Sequence, residues 1–284
     1  MKVLVIGTTG MLGNSIFRVL REKVEWQVFG TARSEGAKSL FAPNIAERLI
    51  LGVDVEQHDT LIKAFILVRP DVVINCVGLV KQLAHAEDPL QAISINALLP
   101  HRLARLCELV GARLVHMSTD CVFSGSKGGY REDDFPDAED VYGRSKLLGE
   151  VAYPHAITLR TSIIGQELQS AHGLVGWFLA QQGQCKGYSR AIFSGLPTVV
   201  LAQIIRDVVI PRPDLYGVFH VAAQPIAKFD LLKLIASVYG KQIEITPDDK
   251  LVIDRSLNAE RFRAATNYVA SDWPTLIKIM YSYN

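Results

Sequence analysis

The chain has 284 residues, of which 49% are hydrophobic and 21% are charged, and its formal net charge is +1. This size and composition allow a large buried α/β core, and a charge near zero without a basic block argues against a nucleic-acid partner or an anionic membrane surface. The sequence has no apolar run of membrane-spanning length and its four cysteines lack metal-ligand spacing, so we expect no membrane partner, no metal and a reducing cytoplasm.

Apolar β-type runs alternate with helical patterns through the first 165 residues, which is the pattern of a doubly wound parallel sheet. Strands are predicted over residues 2–6, 26–31, 49–51, 72–75, 113–118 and 156–160. Helices are predicted over residues 11–22, 57–68, 89–110 and 140–152. Residues 124–139 are rich in Gly, Asp and Ser, which suits an active-site loop.

The pattern changes after Gly165 to mixed helices and short strands. The clearest elements there are predicted strands at 219–221 and 243–245 and a predicted amphipathic helix at 229–239. We therefore expect a Rossmann-like α/β fold with an NAD(P)-binding domain over 1–165 and a smaller α/β substrate lobe over 166–284. This boundary is soft, because segments of the chain can cross between the lobes. A lobe of this kind would form a ligand cleft above the carboxyl ends of the strands.

The first predicted strand runs directly into a glycine-rich turn. Gly7, Gly10 and Gly13 follow the apolar run 1–6 and open a helical stretch near Met11. Strand, glycine turn and helix are the context of a dinucleotide site, in which the pyrophosphate lies on the free N–H groups of the helix N-terminus. The alternative is a tight strand–helix turn without a ligand. We do not expect a strand that enters such a turn to be a signal peptide.

A Tyr and a Lys lie four residues apart, at Tyr142 and Lys146, and a helix would place both on one face. A Lys cation there favours the tyrosinate form, and a phenol so tuned can protonate a ketone oxygen as hydride reaches the carbon. Ser118 and Thr119, at the end of a predicted strand, offer hydroxyls that can share the same oxygen. The alternative is a surface helix with the Tyr ring packed on the Lys stem.

Four motifs occur in the order Gly7-x-x-Gly10-x-x-Gly13, Asn75-Cys76-Val77-Gly78, Ser118-Thr119-Asp120-x-Val122-Phe123-x-Gly125 and Tyr142-Gly143-Arg144-Ser145-Lys146. Together they resemble the extended short-chain dehydrogenase/reductases, and among these the dTDP-4-dehydrorhamnose reductase group, over nearly the whole chain. The resemblance implies NADPH-dependent reduction of a nucleotide-linked 4-keto-6-deoxy sugar for surface-polysaccharide synthesis. It implies Thr119, Tyr142 and Lys146 as the catalytic triad. One departure is Cys121, where the rhamnose reductases commonly have Tyr.

The choice of cofactor depends on the residues after the second predicted strand. Arg33 can pair with a ribose phosphate and Ser34 can add a hydroxyl, which favours NADPH, whereas a solvated surface Arg is the alternative. Glu35 leaves use of NAD open. Asp54 and Val55 resemble the family pair that contacts adenine, although Asp54 also fits a helix cap. The expected cofactor contacts are Gly7, Thr9, Gly10, Met11, Leu12, Gly13, Arg33, Ser34, Asp54, Val55, Cys76, Val77, Gly78, Asn96, Tyr142 and Lys146.

The substrate implied by the resemblance is a nucleotide sugar. A nucleoside diphosphate needs cations, and Arg255 is our first choice in the C-terminal part. Trp177 and Phe193 can stack on a base or wall the sugar, although each also fits the core. Arg160 begins a segment that carries the nicotinamide amide in the resembling family, and a buried structural role is the alternative. The predicted substrate contacts are Lys81, Cys121, Trp177, Arg190 and Arg255.

Two alternatives to a plain reductase stay open. Non-catalytic NADP-binding regulatory subunits also resemble the rhamnose reductases, including a subunit that regulates methionine adenosyltransferase. The other alternative is epimerisation before reduction, in which Cys121 and His172 would remove and return a proton beside the carbonyl, as in the GDP-fucose synthases that this chain resembles in having a Cys at that offset. The plainer interpretation is a space-filling Cys and a surface His. A homodimer is compatible with the sequence.

Overall fold

The computed structural model describes residues 1–79, 87–169 and 171–283, and the chain within these ranges forms two compact units. Each unit is assembled from three separate segments. The first unit consists of Met1–Ser118, Asp140–Leu159 and Ala202–Val218, and the second of Thr119–Glu139, Arg160–Leu201 and Phe219–Asn284. The chain therefore passes between the units several times, and the soft boundary near residue 165 stays a prediction.

The strands, in chain order, are β1 (Lys2–Ile6), β2 (Gln27–Thr31), β3 (Leu49–Ile50), β4 (Val72–Asn75), β5 (Arg113–Thr119), β6 (Ala156–Thr161), β7 (Ile163–Ile164), β8 (Gln184–Tyr188), β9 (Ala191–Phe193), β10 (Leu196–Pro197), β11 (Gly217–His220), β12 (Ile226–Ala227), β13 (Glu244–Asp248) and β14 (Ile253–Asp254). Seven of them form one sheet in the order β11-β6-β5-β4-β1-β2-β3.

The α-helices are α1 (Met11–Leu20), α2 (Pro43–Ala46), α3 (His58–Val68), α4 (Pro89–Ala92), α5 (Leu99–Val110), α6 (Val141–Leu148), α7 (Leu174–Ala180), α8 (Thr198–Ile204), α9 (Lys228–Tyr239), α10 (Glu260–Thr266) and α11 (Trp273–Ser282). A π-helical segment, Ile93–Leu98, joins α4 to α5, so the predicted helix at 89–110 is continuous but locally widened. No helix in the described ranges is long and apolar enough to span a membrane.

The first unit is built around the parallel strands of the large sheet. Strand β1 pairs in parallel with both β2 and β4, and β4 pairs in parallel with β5. Because β1 is central and covered on both faces, its apolar residues are buried without alternation, which explains the continuous apolar run in the sequence. Helices α3 and α5 pack their apolar faces into the same core.

The second unit contains smaller sheets and its own packed helices. Strand β8 pairs in parallel with β13, β9 lies between β12 and β14, and helix α9 packs against α11. Phe193 is buried and its ring centroid lies 5.7 Å from that of Trp273. The core interpretation of Phe193 is therefore the correct one.

The Rossmann-like α/β class is confirmed, and the differences from the predicted elements have local causes. Helix α6 ends at Leu148, four residues before its predicted end, because Gly149 lies directly against the backbone of Asn96, where an added Cβ would be 1.9 Å from the carbonyl oxygen. The strand predicted at 219–221 is β11 (Gly217–His220), and it forms an edge of the seven-stranded sheet. A local β-pattern identifies a strand without saying which sheet the strand joins.

Candidate active site

The glycine turn between β1 and α1 has the geometry of a dinucleotide cradle. Gly7 has φ 87°, a conformation that favours glycine, and a Cβ at Gly13 would lie 2.0 Å from the Gly7 carbonyl oxygen. Helix α1 begins at Met11, and its N-cap residue, Gly10, makes no side-chain capping hydrogen bond. The first-turn N–H groups therefore form a ready anion site. Thr9 and Met11 are half-buried there, and Leu12 is buried.

Hydrogen bonds to the end of β2 fix this turn. The Thr8 N–H and hydroxyl both donate to the Thr31 carbonyl oxygen, at 3.1 and 2.9 Å, and the Gly7 N–H donates to Thr31 Oγ1 at 3.2 Å. Gly30 is also required, because a Cβ there would lie 2.4 Å from Thr8 Cγ2. Sequence reasoning did not find this support, which joins residues more than twenty positions apart.

The residues predicted to choose the cofactor lie after β2 and β3. Arg33 and Ser34 are exposed just beyond the end of β2, in keeping with either a phosphate contact or a solvated Arg. Asp54 Oδ1 accepts a hydrogen bond from the Glu56 N–H at 3.1 Å, whereas α3 begins only at His58. Asp54 thus stabilises a turn before the helix, so the alternative that it caps the helix is wrong, and its contact with adenine stays a prediction.

The segment after β4 packs against the glycine turn. Val77 Cγ2 would be 2.6 Å from a Cβ at Gly7, so the two residues pack closely. The Cys76 N–H donates to the Ile6 carbonyl oxygen at 3.0 Å, and burial raises the pKa of the Cys76 thiol well above its ordinary value. A thiol held protonated in this way fits a packing role for Cys76, and its predicted cofactor contact stays a prediction.

Lys146 is buried near Gly78, the residue that follows Val77. A Cβ at Gly78 would lie 3.7 Å from Lys146 Nζ and 3.5 Å from Asn96 Oδ1. The ammonium donates a hydrogen bond to the Met117 carbonyl oxygen at 2.7 Å. Burial lowers the pKa of Lys146 to about 8, and the negative charge of Glu150 acts in the opposite direction. Tyr142 lies one turn earlier on α6 and is half-buried.

Asn96 braces two segments of the first unit. It is fully buried in the π-helical segment Ile93–Leu98, a type of irregularity that often marks functional sites. Its Oδ1 accepts a hydrogen bond from the Leu79 N–H at 3.0 Å, and its Nδ2 donates to Ser145 Oγ at 3.1 Å. The Asn thus holds the segment after β4 and the helix that carries Tyr142.

Two side chains of β5 extend this polar region. Ser118 Oγ donates to Glu150 Oε1 at 2.6 Å. His116 is fully buried, and its pKa lies well below the ordinary value because of burial and the charges of Lys146 and His101. Its Nδ1 contacts Asn75 Nδ2 at 3.1 Å, while Nε2 has no hydrogen-bond partner in the described part of the chain. Sequence reasoning missed both His116 and Glu150.

Thr119 ends β5 and belongs to the second unit. Its hydroxyl accepts from the Cys121 N–H and donates to Asp120 Oδ1, both at 3.1 Å. Burial raises the pKa of Asp120, and its hydrogen bond with Thr119 and the Arg255 charge lower it in part. Because Thr119 lies in a different unit from Tyr142 and Lys146, their joint action as a triad stays a prediction.

Arg255 is tied to the loop that follows Thr119. Its Nε donates to the Phe123 carbonyl oxygen at 2.8 Å, and its Nη1 lies 3.8 Å from Cys121 Sγ. Cys121 is half-buried. These contacts give Arg255 a local structural role, and its contact with a diphosphate stays a prediction. Arg160 is buried, with Nη1 3.2 Å from His220 Nε2, which fits the structural alternative for this residue.

The remaining predicted substrate contacts have diverse settings. Trp177 lies on α7 and is 38% exposed, so it is available as a ligand wall. Arg190 is exposed, and its carbonyl oxygen accepts from the Ile253 N–H at 3.1 Å. Lys81 lies outside the described residues. Within the described ranges, no group of three or more His, Cys, Asp or Glu side chains could hold a metal ion.

Comparison with known proteins identifies relatives that match from about half to nearly all of this chain. It is 25% identical over 307 residues to the dTDP-4-dehydrorhamnose reductase of Aggregatibacter actinomycetemcomitans, with 99% of each chain covered. It is 30% identical to methionine adenosyltransferase 2 subunit beta of Xenopus tropicalis over 57% of this chain and 47% of that protein. Among solved structures, a hypothetical dTDP-4-dehydrorhamnose reductase from Sulfolobus tokodaii has a TM-score of 0.78 at 26% identity, covering 96% of this chain and 98% of that one.

The chain spans less than half the length of the first curated relatives that it matches, from 33% to 47% of each relative. The family assignment therefore depends on a broader match, in which the model of the family described as RmlD substrate binding domain covers residues 1–261. This match spans the glycine turn, the end of β5 and helix α6, and it confirms the resemblance inferred from the motifs. The chain belongs to the RmlD substrate binding domain family.

Proposed function

We propose that this protein is an NADPH-dependent reductase of a nucleotide-activated 4-keto-6-deoxy sugar. The observation that carries the proposal is the buried Lys146 ammonium beside Gly78, one helical turn from Tyr142. A buried cation without a catalytic use would be a costly feature. The names of the relatives from Aggregatibacter actinomycetemcomitans and Sulfolobus tokodaii support the same reaction class.

The residues present fit a dinucleotide. Glycine keeps the backbone close-packed at three positions, since a Cβ at Gly7 would meet Val77 Cγ2, one at Gly13 would meet the Gly7 carbonyl oxygen, and one at Gly78 would contact Asn96 Oδ1 and Lys146 Nζ. The uncapped first turn of α1 would hold the pyrophosphate, and Lys146 would hold the nicotinamide ribose. When bound, reduced nicotinamide supplies a hydride to the carbonyl carbon of the substrate.

The protein's own residues would bind and protonate the oxygen of that carbonyl. Tyr142 would transfer its phenolic proton to the oxygen as the hydride arrives, and the Thr119 hydroxyl would hold the oxygen in place. The Lys146 ammonium would stabilise the tyrosinate that remains, which then regains a proton from solvent. The exposed position of Arg33 after β2 leaves it accessible to a ribose phosphate, and this favours NADPH over NADH.

Two other functions carry some support. The similarity to methionine adenosyltransferase 2 subunit beta supports an NADP-binding regulatory subunit. The presence of Thr119, Tyr142 and Lys146 together argues against that function and favours a reductase. Epimerisation before reduction would use Cys121, whose Sγ lies near Arg255, and His172, which is exposed. The proposal assigns the reductase to the cytoplasm, and a homodimer stays a prediction.

The direct test is consumption of NADPH by the purified protein with a panel of nucleotide-linked 4-keto sugars. The proposal predicts turnover with at least one sugar and none with the free, unlinked sugar. A Lys146→Met variant is the matched control, because it keeps the side-chain length and loses the cation. Binding of NADPH without turnover of any panel member would favour the regulatory subunit instead.

A further inference from the structure

The buried amine of Lys146 needs a source of electrostatic support. Its side chain is 5% exposed, and burial lowers its pKa from the ordinary value of 10.5 to about 8, although the negative charge of Glu150 acts in the opposite direction. At that value the cation is only modestly favoured at neutral pH. Any further loss of support would leave a large fraction of the amine neutral, and a neutral amine cannot stabilise a tyrosinate.

Two consecutive residues of β5 bind the amine of Lys146 and the carboxylate of Glu150. The Met117 carbonyl oxygen accepts from Lys146 Nζ at 2.7 Å, and the Ser118 hydroxyl donates to Glu150 Oε1 at 2.6 Å. Glu150 lies two residues beyond the end of α6, four positions after Lys146. The same strand end therefore anchors both the amine and the carboxylate.

The other groups around the amine contribute no compensating negative charge. Asn75 Oδ1 accepts from the Val77 N–H, so Asn75 Nδ2 donates to His116 Nδ1, and the imidazole carries its proton on Nε2. With its pKa well below the ordinary value, His116 is neutral at working pH. Asn96 is an amide, and Tyr142, on the same helix, is the phenol that the cation serves. Among these neighbours, Glu150 alone supplies an anion.

We propose that Glu150, oriented by the Ser118 hydroxyl, is a positioning residue that supplies the counter-charge for the buried Lys146 ammonium. Its importance for catalysis rests on the proposed reductase function, whereas its effect on Lys146 does not. Glu150 acts through Lys146 and needs no contact with cofactor or substrate. Ser118, next to the catalytic hydroxyl in sequence, thereby has a task distinct from that of Thr119.

The direction in which the pKa of Lys146 should change follows from the negative charge that the Glu150 variant removes. Without the carboxylate, the pKa of Lys146 falls further below its present value, so the ammonium is lost at a lower pH. A neighbouring opposite charge changes a pKa by roughly 1–3 units, and the half-buried position of Glu150 suggests the lower end, about 1 unit. The alkaline limbs of NADPH affinity and of kcat/KM should both move to lower pH by about that amount.

The test is a pH titration of Lys146 in the whole chain, a measurement that does not depend on catalytic turnover. The Cε resonance of ¹³C-labelled lysine is followed by NMR, and Lys146→Met identifies the signal. We expect Glu150→Gln to lower the midpoint by about 1 unit, Ser118→Ala to lower it by less, and Glu150→Asp to restore most of it. Glu108→Gln is the control, because Glu108 is exposed and pairs with Arg105, and it should leave the midpoint unchanged.

A midpoint equal to wild type in Glu150→Gln would overturn the inference. If that variant fails to fold, Ser118→Ala decides, and an unchanged midpoint in that variant would overturn the inference equally. Failure of the reductase function is a separate result, seen as NADPH binding without reduction of any keto sugar. In that case a lowered Lys146 midpoint in Glu150→Gln would still support the counter-charge.

Discussion

Replacing Gly13 with alanine tests the close packing at the start of α1. The added Cβ would lie 2.0 Å from the Gly7 carbonyl oxygen, a distance at which backbone must move. The obstacle cannot move cheaply, because Gly7 has φ 87° and its N–H is hydrogen-bonded to Thr31 Oγ1. Gly10→Ala is the matched control in the same turn, since its Cβ would lie 3.6 Å from the same oxygen, an ordinary contact.

The expected magnitude combines two opposing effects. Overpacking costs about 1–3 kcal/mol, and a backbone obstacle places Gly13→Ala at or above the upper end of that range. The better helix propensity of alanine returns at most about 1 kcal/mol. We therefore expect a net loss of about 2 kcal/mol for Gly13→Ala. For Gly10→Ala we expect a change within about 0.5 kcal/mol.

Thermal unfolding measures the difference. For domains of this size a loss of about 2 kcal/mol lowers Tm by about 4–8 °C, so Gly13→Ala should melt several degrees below Gly10→Ala. NADPH affinity should fall in the same variant, because the displaced turn carries the N–H groups of α1. Equal melting temperatures for the two variants would refute the argument that Gly13 is required by the close approach to Gly7.

Further measurements address the cofactor, the cation and the thiol. Arg33→Ala should lower the affinity for NADPH roughly tenfold to hundredfold and the affinity for NADH far less. Equal losses of affinity for both cofactors in a binding titration would show that Arg33 does not bind the ribose phosphate. In the wild type, NADPH affinity should fall as pH rises through about 8, where Lys146 loses its proton, and an affinity that stays flat across that range would contradict a role for the ammonium. If epimerisation precedes reduction, deuterium exchange beside the ketone, measured in D₂O with inert oxidised cofactor, should disappear in Cys121→Ser and His172→Asn. No exchange in the wild type, with reduction intact, would leave a plain reductase.

The sequence predicts those parts of the molecule whose signals are local. The glycine turn, the six strands predicted before residue 165 and the helix with Tyr142 and Lys146 follow from runs of a few residues, and the structure has them within a few positions. The end of α6 was not predictable in this way. It depends on Gly149 meeting the backbone of Asn96, a residue on another helix.

The polar support of the site could not be read from the sequence for the same reason. The Ser118–Glu150 hydrogen bond joins residues 32 positions apart, and Asn96 and Ser145 are 49 apart. Glu150 looks like any acidic residue near a helix end until the fold brings it to β5. Arg255 is a converse case, since its charge suggested a ligand contact, whereas its described partners are the Phe123 carbonyl oxygen and Cys121.

The central claim is that Tyr142 donates the proton in reduction of a keto sugar. The most direct measurement compares wild type and Tyr142→Phe for both NADPH affinity and turnover of the best substrate in the panel. The account predicts unchanged NADPH affinity, because the ring and its packing remain, and a loss of roughly 10²–10⁴ in turnover, because only the proton donor is removed. Wild-type turnover in Tyr142→Phe would contradict the account.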